Sequence, residues 1–530
     1  MPRISGPSLV RNGEDGPRDE RAARAEVLAR ARALIALATG EASAATTFVE
    51  FERRLVSEVF ALARTVIGLF LIASERRVVA TLEDRVVRDG LVFRRAPAQW
   101  RNLLTWFGVV RYRRTYLRQV GATGKARGFH PLDAELGLLA DRLSPNLLSI
   151  AVRLATRVSF SEARDLLAWF LPVAPSTEVI ESAVLGYGRH TQEWFEIAPA
   201  PEDDGDVLVI QIDSKGVPTA TDEELRKRRG KRSRKKKTPS PRHRGRQSRE
   251  RRTQKPRRKK GDKAKNAKMG TMVVMYTLRK QPRGSLLLGP INKRYYASFA
   301  PKRHAVELAR REATKRGFPP STRRVVQVVT DGDNDLARYI AELFPDAIHT
   351  IDVMHVVEKL WDAGSSVHRE GSPECRAWVE TQKDALYAGD AAKIVAELDH
   401  QLAHIPRTGP GNKYRREKLG EVRAYIDKRV AMMDYAELLE RDLELGTGPV
   451  EGAIKNLMGR RMDHGGMRWI KERAEALLQL RCIDANGDWD AFVEHVHDKA
   501  RAEAITNGKR VRLQQRQAAA LPEVSSEKAA

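Results

Sequence analysis

Two short apolar runs, each leading to an aspartate, constrain this chain more than any other feature. Val207-Leu208-Val209-Ile210 passes through Gln211 and Ile212 to Asp213, with Gly216 close behind. Val325-Val326-Gln327-Val328-Val329-Thr330 leads to Asp331. Runs this short and this rich in β-branched residues read as buried strands of a central sheet. An aspartate ending such a strand stands at the rim of the sheet, where a carboxylate can meet a metal ion. A third acid, Glu451, opens a helix after Thr447-Gly448-Pro449, where proline at the first helical position and Thr or Gly as cap mark the start.

Around these runs the pattern gives strands over 207–213, 271–278, 294–298, 325–331 and 348–352, and helices over 304–316 and 335–343. A meander of three strands followed by alternating helices and strands implies a mixed five-stranded sheet with helices on its faces. From 353 to 446 the chain reads as all-α, with helices over 353–369, 372–388, 391–405 and 414–445. Residues 447–495 carry Glu451 and an amphipathic helix over 471–482. At 530 residues the chain is too long for one core. Residues 1–20 and 508–530 read as disordered. Residues 21–90 read as helical, with Phe51, Leu55, Val59, Leu62 and Val66 on one apolar face suited to a bundle or a dimerisation arm. Residues 91–200 combine a basic ribbon around Val92-Phe93 and 107–118 with helices begun at Ser159-Phe160-Ser161-Glu162 and Pro175-Ser176-Thr177. That pair is either a DNA-reading helix-turn-helix or simple packing.

Charge is concentrated in one place. The net charge is +26, yet 24 of the 44 residues over 225–268 are Lys or Arg, against Glu250 and Asp262 alone. The rest of the chain is close to neutral. This segment, including Lys235, Lys236, Lys237, Arg257 and Arg258, lacks hydrophobic periodicity and reads as a disordered basic loop for a polyanion, most simply DNA. Cys375 and Cys482 are the only cysteines, which excludes a disulfide framework and any multi-cysteine zinc module. The N-terminal stretch has no signal-peptide core, and the run Val66-Ile67-Gly68-Leu69-Phe70-Leu71-Ile72-Ala73 is short for a membrane span, so the expectation is a cytoplasmic protein without a membrane partner.

Phosphodiester chemistry needs a nucleophilic oxygen freed of its proton and charge relief on the leaving oxygen. Two divalent ions about 3.5–4 Å apart supply both. Mg²⁺ or Mn²⁺ takes carboxylate ligands, and two strand-end aspartates plus a helix-borne glutamate are suitable donors. Each acid also has a plainer role open to it: Asp213 as a turn former, Asp331 as a helix cap, Glu451 as a partner of the helix dipole. Asp352-Val353-Met354-His355 is a second constellation, with Asp352 at a strand end and His355 one helical turn later. It suits support of a metal ligand or a phosphate, or plain hydrogen bonding.

With these residues in hand, the chain resembles insertion-sequence transposases of the ISKra type, Mutator-like relatives in the DDE superfamily. The resemblance runs from about 131 to 492. It rests on Pro131-Leu132-Asp133, Gln211-Ile212-Asp213, Val329-Thr330-Asp331-Gly332, the stretch from Asp352 to Leu360, Gly448-Pro449-Val450-Glu451 and Gly465-Gly466-Met467-Arg468-Trp469. It implies an RNase H-like α/β core with an all-α insertion, a triad of Asp213, Asp331 and Glu451 holding two Mg²⁺ or Mn²⁺ ions, support from Asp352 and His355, and DNA near Arg460, Arg461, Arg468 and Trp469. The chain departs from such relatives in lacking the cysteine pairs they often carry, here around 111–129. It also reads Gly446-Thr447-Gly448 where a serine-containing turn is more usual.

The expectation is therefore a DNA transposase of an insertion sequence, prokaryotic and nucleoid-associated, acting as a homodimer or higher oligomer. It would cut the element's terminal inverted repeats with metal-activated water, then join the freed 3′-hydroxyls to target DNA. A structure-selective nuclease without strand transfer, and an inactive transposase-derived DNA-binding protein, are the alternatives.

Overall fold

A computed structural model of the chain describes residues 19–40, 46–88, 90–121, 128–138, 142–221, 267–281, 286–319, 324–463 and 467–507. Most of the basic segment, with Lys235, Lys236, Lys237, Arg257 and Arg258, lies outside the described residues. So do 508–530 and residues 1–18 of the stretch 1–20 expected to be disordered; its last two residues instead begin a helix, Asp19 as cap and Glu20 as first residue. The chain divides into two compact units. Among the described residues, one holds those up to Trp194 together with 487–507, and the other holds those within Phe195–Asn486.

The first unit begins with α1 (Glu20–Thr39) and α2 (Phe48–Ala80), each started by a side-chain cap. Asp19 accepts from the Ala22 N–H, and Thr47 and Glu50 form a reciprocal capping box. The ion pairs Arg76–Glu20 (2.9 Å) and Arg30–Glu58 (3.6 Å) make the two helices antiparallel. A four-stranded antiparallel sheet follows in chain order: β1 (Arg85–Arg88), β2 (Leu91–Thr105), β3 (Gly108–Gln119) and β4 (Gly128–Phe129). It is larger than the short ribbon the sequence suggests. An irregularity between Ala96 and Gln99 shifts the register, and that breaks the alternation by which β2 would be recognised. One side of α2 lies on β3, where Glu75 accepts from the Thr115 N–H at 2.5 Å and the Arg64 guanidinium donates to the Phe107 carbonyl at 3.0 Å.

Arg85, Arg94 and Arg118 stand directly opposite one another across β1, β2 and β3, all exposed. Asp133, in the short helix α3 (Pro131–Glu135), is the anchor of this unit. It pairs with the buried Arg101 (3.0 Å) and Arg114 and accepts from Tyr112 Oη (3.1 Å). Next come α4 (Pro145–Arg157), α5 (Phe160–Phe170), α6 (Thr177–Gly188) and α7 (Thr191–Ile197). Ser144, Ser159 and Ser176 cap the first three. Helices α4, α5 and α6 pack on one another. A C-terminal helix, Trp489–Asn507, returns to this unit: Trp489 Nε1 donates to Ser149 Oγ at 3.2 Å, and Tyr187 Oη meets His497 Nε2 at 3.0 Å. The sequence reading carried the core to residue 495; the structure places its boundary at Asn486.

The second unit is built on the mixed five-stranded sheet expected from the sequence. Its strands are β5 (Val207–Pro218), β6 (Ala267–Lys280), β7 (Leu287–Ser298), β8 (Val325–Thr330) and β9 (Ile348–Ile351), in the order β7-β6-β5-β8-β9. The first three are antiparallel to one another, and β8 and β9 run parallel to β5. Val207, Leu208, Val209, Ile210, Val328 and Val329 are at most 2% exposed, so the apolar runs are buried on both faces. Helix α8 (Lys302–Lys315) covers part of β6 and β7 and carries α9 (Asn334–Leu343).

The all-α insertion comprises α10 (Val353–Val367), α11 (Pro373–Tyr387), α12 (Ala391–His404), α13 (Asn412–Asp427) and α14 (Tyr435–Glu440). The single helix expected over 414–445 is broken after Asp427. Arg429 turns inward to the Gly332 carbonyl, and Asp434 caps a new helix by accepting from the Glu437 N–H. Glu451 lies on α15 (Gly448–Ala453). A π-helical turn (Ile454–Gly459), α16 (Arg460–Met462) and α17 (Lys471–Ala485) follow.

One buried acid makes the stability of this unit pH-dependent. Glu475 on α17 is 3% exposed and accepts from Ser298 Oγ and the Phe299 N–H, both at 2.6 Å. Burial pushes its carboxyl up to about 7. The folded pKa lies above the unfolded one, so the fold binds this proton more tightly and stability falls as pH rises between the two values. The loss is on the order of 3 kcal/mol. Glu475→Gln should remove that slope, because Ser298 and Gln479 can both turn to accept from the new amide. Urea melts of both proteins from acid to mildly alkaline pH test this; parallel pH curves would refute it.

Candidate active site

The strand register places three aspartates in one row. Ile212 pairs with Thr330, and Thr330 with Ile351. The residue after each of these is an aspartate: Asp213 within β5, and Asp331 and Asp352 just past the ends of β8 and β9. Side chains alternate between faces along a strand, so Asp213 shares a face of β5 with Gln211, two positions earlier. Neighbouring strands lie about 4.8 Å apart, close enough for adjacent carboxylates of one row to share a divalent ion. Asp213 does not end its strand. β5 continues to Pro218 paired with β6, and Asp213 marks the point where the parallel partner β8 stops.

Each acid is held differently. Asp213 is half-buried and its Oδ1 accepts from the Ser214 N–H at 2.5 Å. Burial, together with the charges of Asp331 and Glu451, raises its carboxyl above the ordinary range, against the opposing pull of the Ser214 N–H and His355. Asp331 accepts from the Asp333 N–H at 3.1 Å, while Asp333 caps α9. The turn beyond Asp331 is clamped by the insertion. Tyr425 Oη donates to the Asp331 carbonyl at 3.0 Å and Arg429 Nε to the Gly332 carbonyl at 3.0 Å. Gly332 has φ +85°, and a Cβ there would stand 2.5 Å from Tyr425 Oη, so this turn needs glycine.

Asp352 is 1% exposed and fully engaged. Its Oδ1 accepts from the Met354 N–H at 2.7 Å, capping α10, and its Oδ2 accepts from the Thr447 N–H at 2.8 Å and from the Thr447 hydroxyl. That hydroxyl also lies 3.3 Å from Glu451 Oε1. His355 is one turn along α10. Asp352, His355 and Glu451 offer ligand atoms that all lie within 4.8 Å of one another. Among the described residues the group with ligand atoms this close is therefore Asp352, His355 and Glu451; of the expected triad it includes Glu451, and not Asp213 or Asp331. Carboxylate oxygens with a single imidazole suit a hard divalent cation.

Two glutamines hold the Glu451 segment against the sheet, and the sequence reading passed over both. Gln211 Nε2 donates to the Gly446 carbonyl and to Tyr276 Oη, each at 3.1 Å, and its Oε1 accepts from the Val450 N–H at 3.1 Å. Gln327 exchanges two hydrogen bonds with the Glu444 backbone, at 2.7 and 3.0 Å. Both side chains are fully buried. A polar residue inside an otherwise apolar strand is the sequence signal, because a buried amide must find partners.

An open cleft of about 360 Å³ lies beside Asp213 and Glu451, lined also by Lys215, Ile454, Lys455, Gly459, Arg460 and Asp463. The π-helical turn forms part of its wall, and Arg481 holds that turn through the Leu457 and Asn456 carbonyls at 2.7 and 2.8 Å. Arg460 is exposed and Arg468 half-buried. Arg461 and Trp469, which the sequence suggested would lie near DNA, are instead 3% and 7% exposed and stacked on each other. The Trp469 backbone bridges to Pro218 and Ala220 at the end of β5, and its indole donates to the Met462 carbonyl at 3.0 Å. Their contacts are structural, tying the region after Glu451 to the strand of Asp213. The chain matches no protein-family model, and a search of curated proteins finds no similar one.

Proposed function

We propose that this protein is a DNA transposase of an insertion sequence. The reading rests on one observation above all: Asp213, Asp331 and Asp352 stand side by side where the parallel pairing of β5, β8 and β9 ends, with Glu451 and a cleft that also carries Lys215, Lys455 and Arg460 beside them. A meander of three antiparallel strands extended by two parallel ones supports an RNase H-like core. Asp213, Asp331 and Glu451, with Asp352 and His355, would hold two Mg²⁺ or Mn²⁺ ions. Such ions, when bound, relieve charge on the phosphate and lower the pKa of water.

The other steps belong to the chain's own side chains. Lys215, Lys455 and Arg460 offset phosphate charge in the cleft. Thr447 and Gln211 hold Glu451 in place. The first reaction hydrolyses a phosphodiester at the element's end; the second is attack of the freed 3′-hydroxyl on target DNA. The row of exposed arginines across β1, β2 and β3 supports a polyanionic partner, since like charges placed directly opposite oppose sheet formation unless something neutralises them. The partners proposed are terminal inverted repeats and target DNA. The proposed setting is the prokaryotic cytoplasm, on the nucleoid, with the protein as a homodimer or higher oligomer.

The test is a Mg²⁺-dependent cleavage and joining assay on the DNA flanking the gene, with Glu451→Gln alongside. Joined products from the wild type alone are expected. Cleavage without joining would replace the reading by a structure-selective nuclease. Salt-sensitive binding with neither product would leave only a transposase-derived DNA-binding protein.

A further inference from the structure

Helix α2 presents an unpartnered apolar stripe that runs most of its length. Phe48–Ala80 is 33 residues, about 50 Å at 1.5 Å per residue. One side lies on β3 and another on α1. A third carries Val49, Val56, Val59, Val66 and Phe70, which remain 41–54% exposed. With Glu52, Ala63, Ala73 and Arg77 these residues recur at alternating spacings of three and four. A period of 3.5 is the spacing of a helix that pairs with another helix along a seam, with Val49, Val56, Ala63, Phe70 and Arg77 at one seam position and Glu52, Val59, Val66 and Ala73 at the other.

The stripe is complementary to itself in one register. An antiparallel copy centred between Ala63 and Val66 sets Val59 against Phe70, Val56 against Ala73, and Ala63 against Val66. Large side chains then meet small or medium ones. The same register sets Glu52 of each copy against Arg77 of the other, at both ends of the seam. Glu52 has no ion pair among the described residues, and Arg77 hydrogen-bonds Ser74 (2.8 Å) without an acidic partner among them. A parallel pairing would instead bring Glu52 against Glu52 and Arg77 against Arg77.

We propose that a second copy of this chain docks on this face, α2 against α2, antiparallel, closed at each end by a Glu52–Arg77 pair. A bilayer is the competing occupant, since α2 is long and apolar enough to cross one, with a mean hydropathy of 2.0 over its most apolar window. Two observations favour the second copy. Glu52 interrupts the stripe itself. Insertion would also strip Glu75 and Arg64 from their hydrogen bonds to β3 and its turn. The inference does not depend on the catalytic reading, because association would occur without DNA or metal.

Sedimentation equilibrium of the full chain, without DNA or divalent ions, tests it. Wild type is expected to form a dimer. Glu52→Arg or Arg77→Glu alone should weaken it on the order of tenfold, by setting like charges together at both ends. The double variant should recover wild-type affinity, which misfolding could not mimic. A monomeric wild type would overturn the proposal. So would single and double variants that associate alike, or co-sedimentation with phosphatidylglycerol vesicles in place of self-association.

Discussion

Replacing Asp213 with asparagine is expected to cut Mg²⁺-dependent strand cleavage about a thousandfold or more, and to make the metal-free protein harder to unfold. Both outcomes follow from one geometry. Asp213 is half-buried beside Asp331 and Glu451, and burial and these charges hold its carboxyl above the ordinary range. The folded pKa is above the unfolded one. The ionised carboxylate therefore costs the folded state free energy at any pH above the folded value, and the cost vanishes below the unfolded value, where both states are protonated. Asparagine keeps the size and the bond from the Ser214 N–H and removes that cost. Mg²⁺ should raise the melting temperature of the wild type, because binding to the folded state alone stabilises it. It should raise that of the variant much less. Thermal melts with and without Mg²⁺, run beside the cleavage assay, read all three effects. A variant that still cleaves, or that gains as much from Mg²⁺ as the wild type, would remove Asp213 from the site.

The legible part of this site was the part written in short-range pattern. Asp213 and Asp331 each follow an apolar run, and in the fold Asp331 stands just past the end of β8 while Asp213 stands where the parallel pairing of β5 ends. The sequence pattern places a strand at each of the five positions of the core sheet, though it finds only 294–298 of β7, which begins at Leu287. What the pattern hides is equally physical. β2 was missed over most of its length because the irregularity between Ala96 and Gln99 moves its side chains to the opposite face midway. The break after Asp427 was missed because Arg429 is drawn inward by a carbonyl nearly a hundred residues away, at Gly332. Arg461 and Trp469 looked like a basic surface, yet the planar guanidinium stacks on the indole and both are buried. An arginine's charge in a sequence does not tell which side of the surface it lies on.

Gln211→Leu is expected to lower cleavage by about a hundredfold while leaving binding of DNA unchanged. The leucine fits the volume but cannot donate to the Gly446 carbonyl or Tyr276 Oη, nor accept from the Val450 N–H. A buried carbonyl left without a donor costs roughly 1–3 kcal/mol, so the folded protein should also be less stable by about that much. Gly446 and Val450 flank the start of α15, so relief of that strain displaces Glu451, and misplacement of a reacting group by about 1 Å is enough for a hundredfold loss. Gln327→Leu is the control. It strips the Glu444 backbone of two equivalent bonds, but seven residues ahead of Glu451. Both variants should lose similar stability in urea melts, and only Gln211→Leu should lose its turnover, with KM for DNA unchanged. Equal losses of turnover in the two would make Gln211 a packing residue of the core. A selective loss would make it the residue that positions Glu451, linking the strand of Asp213 to the helix of the third acid through a single buried amide.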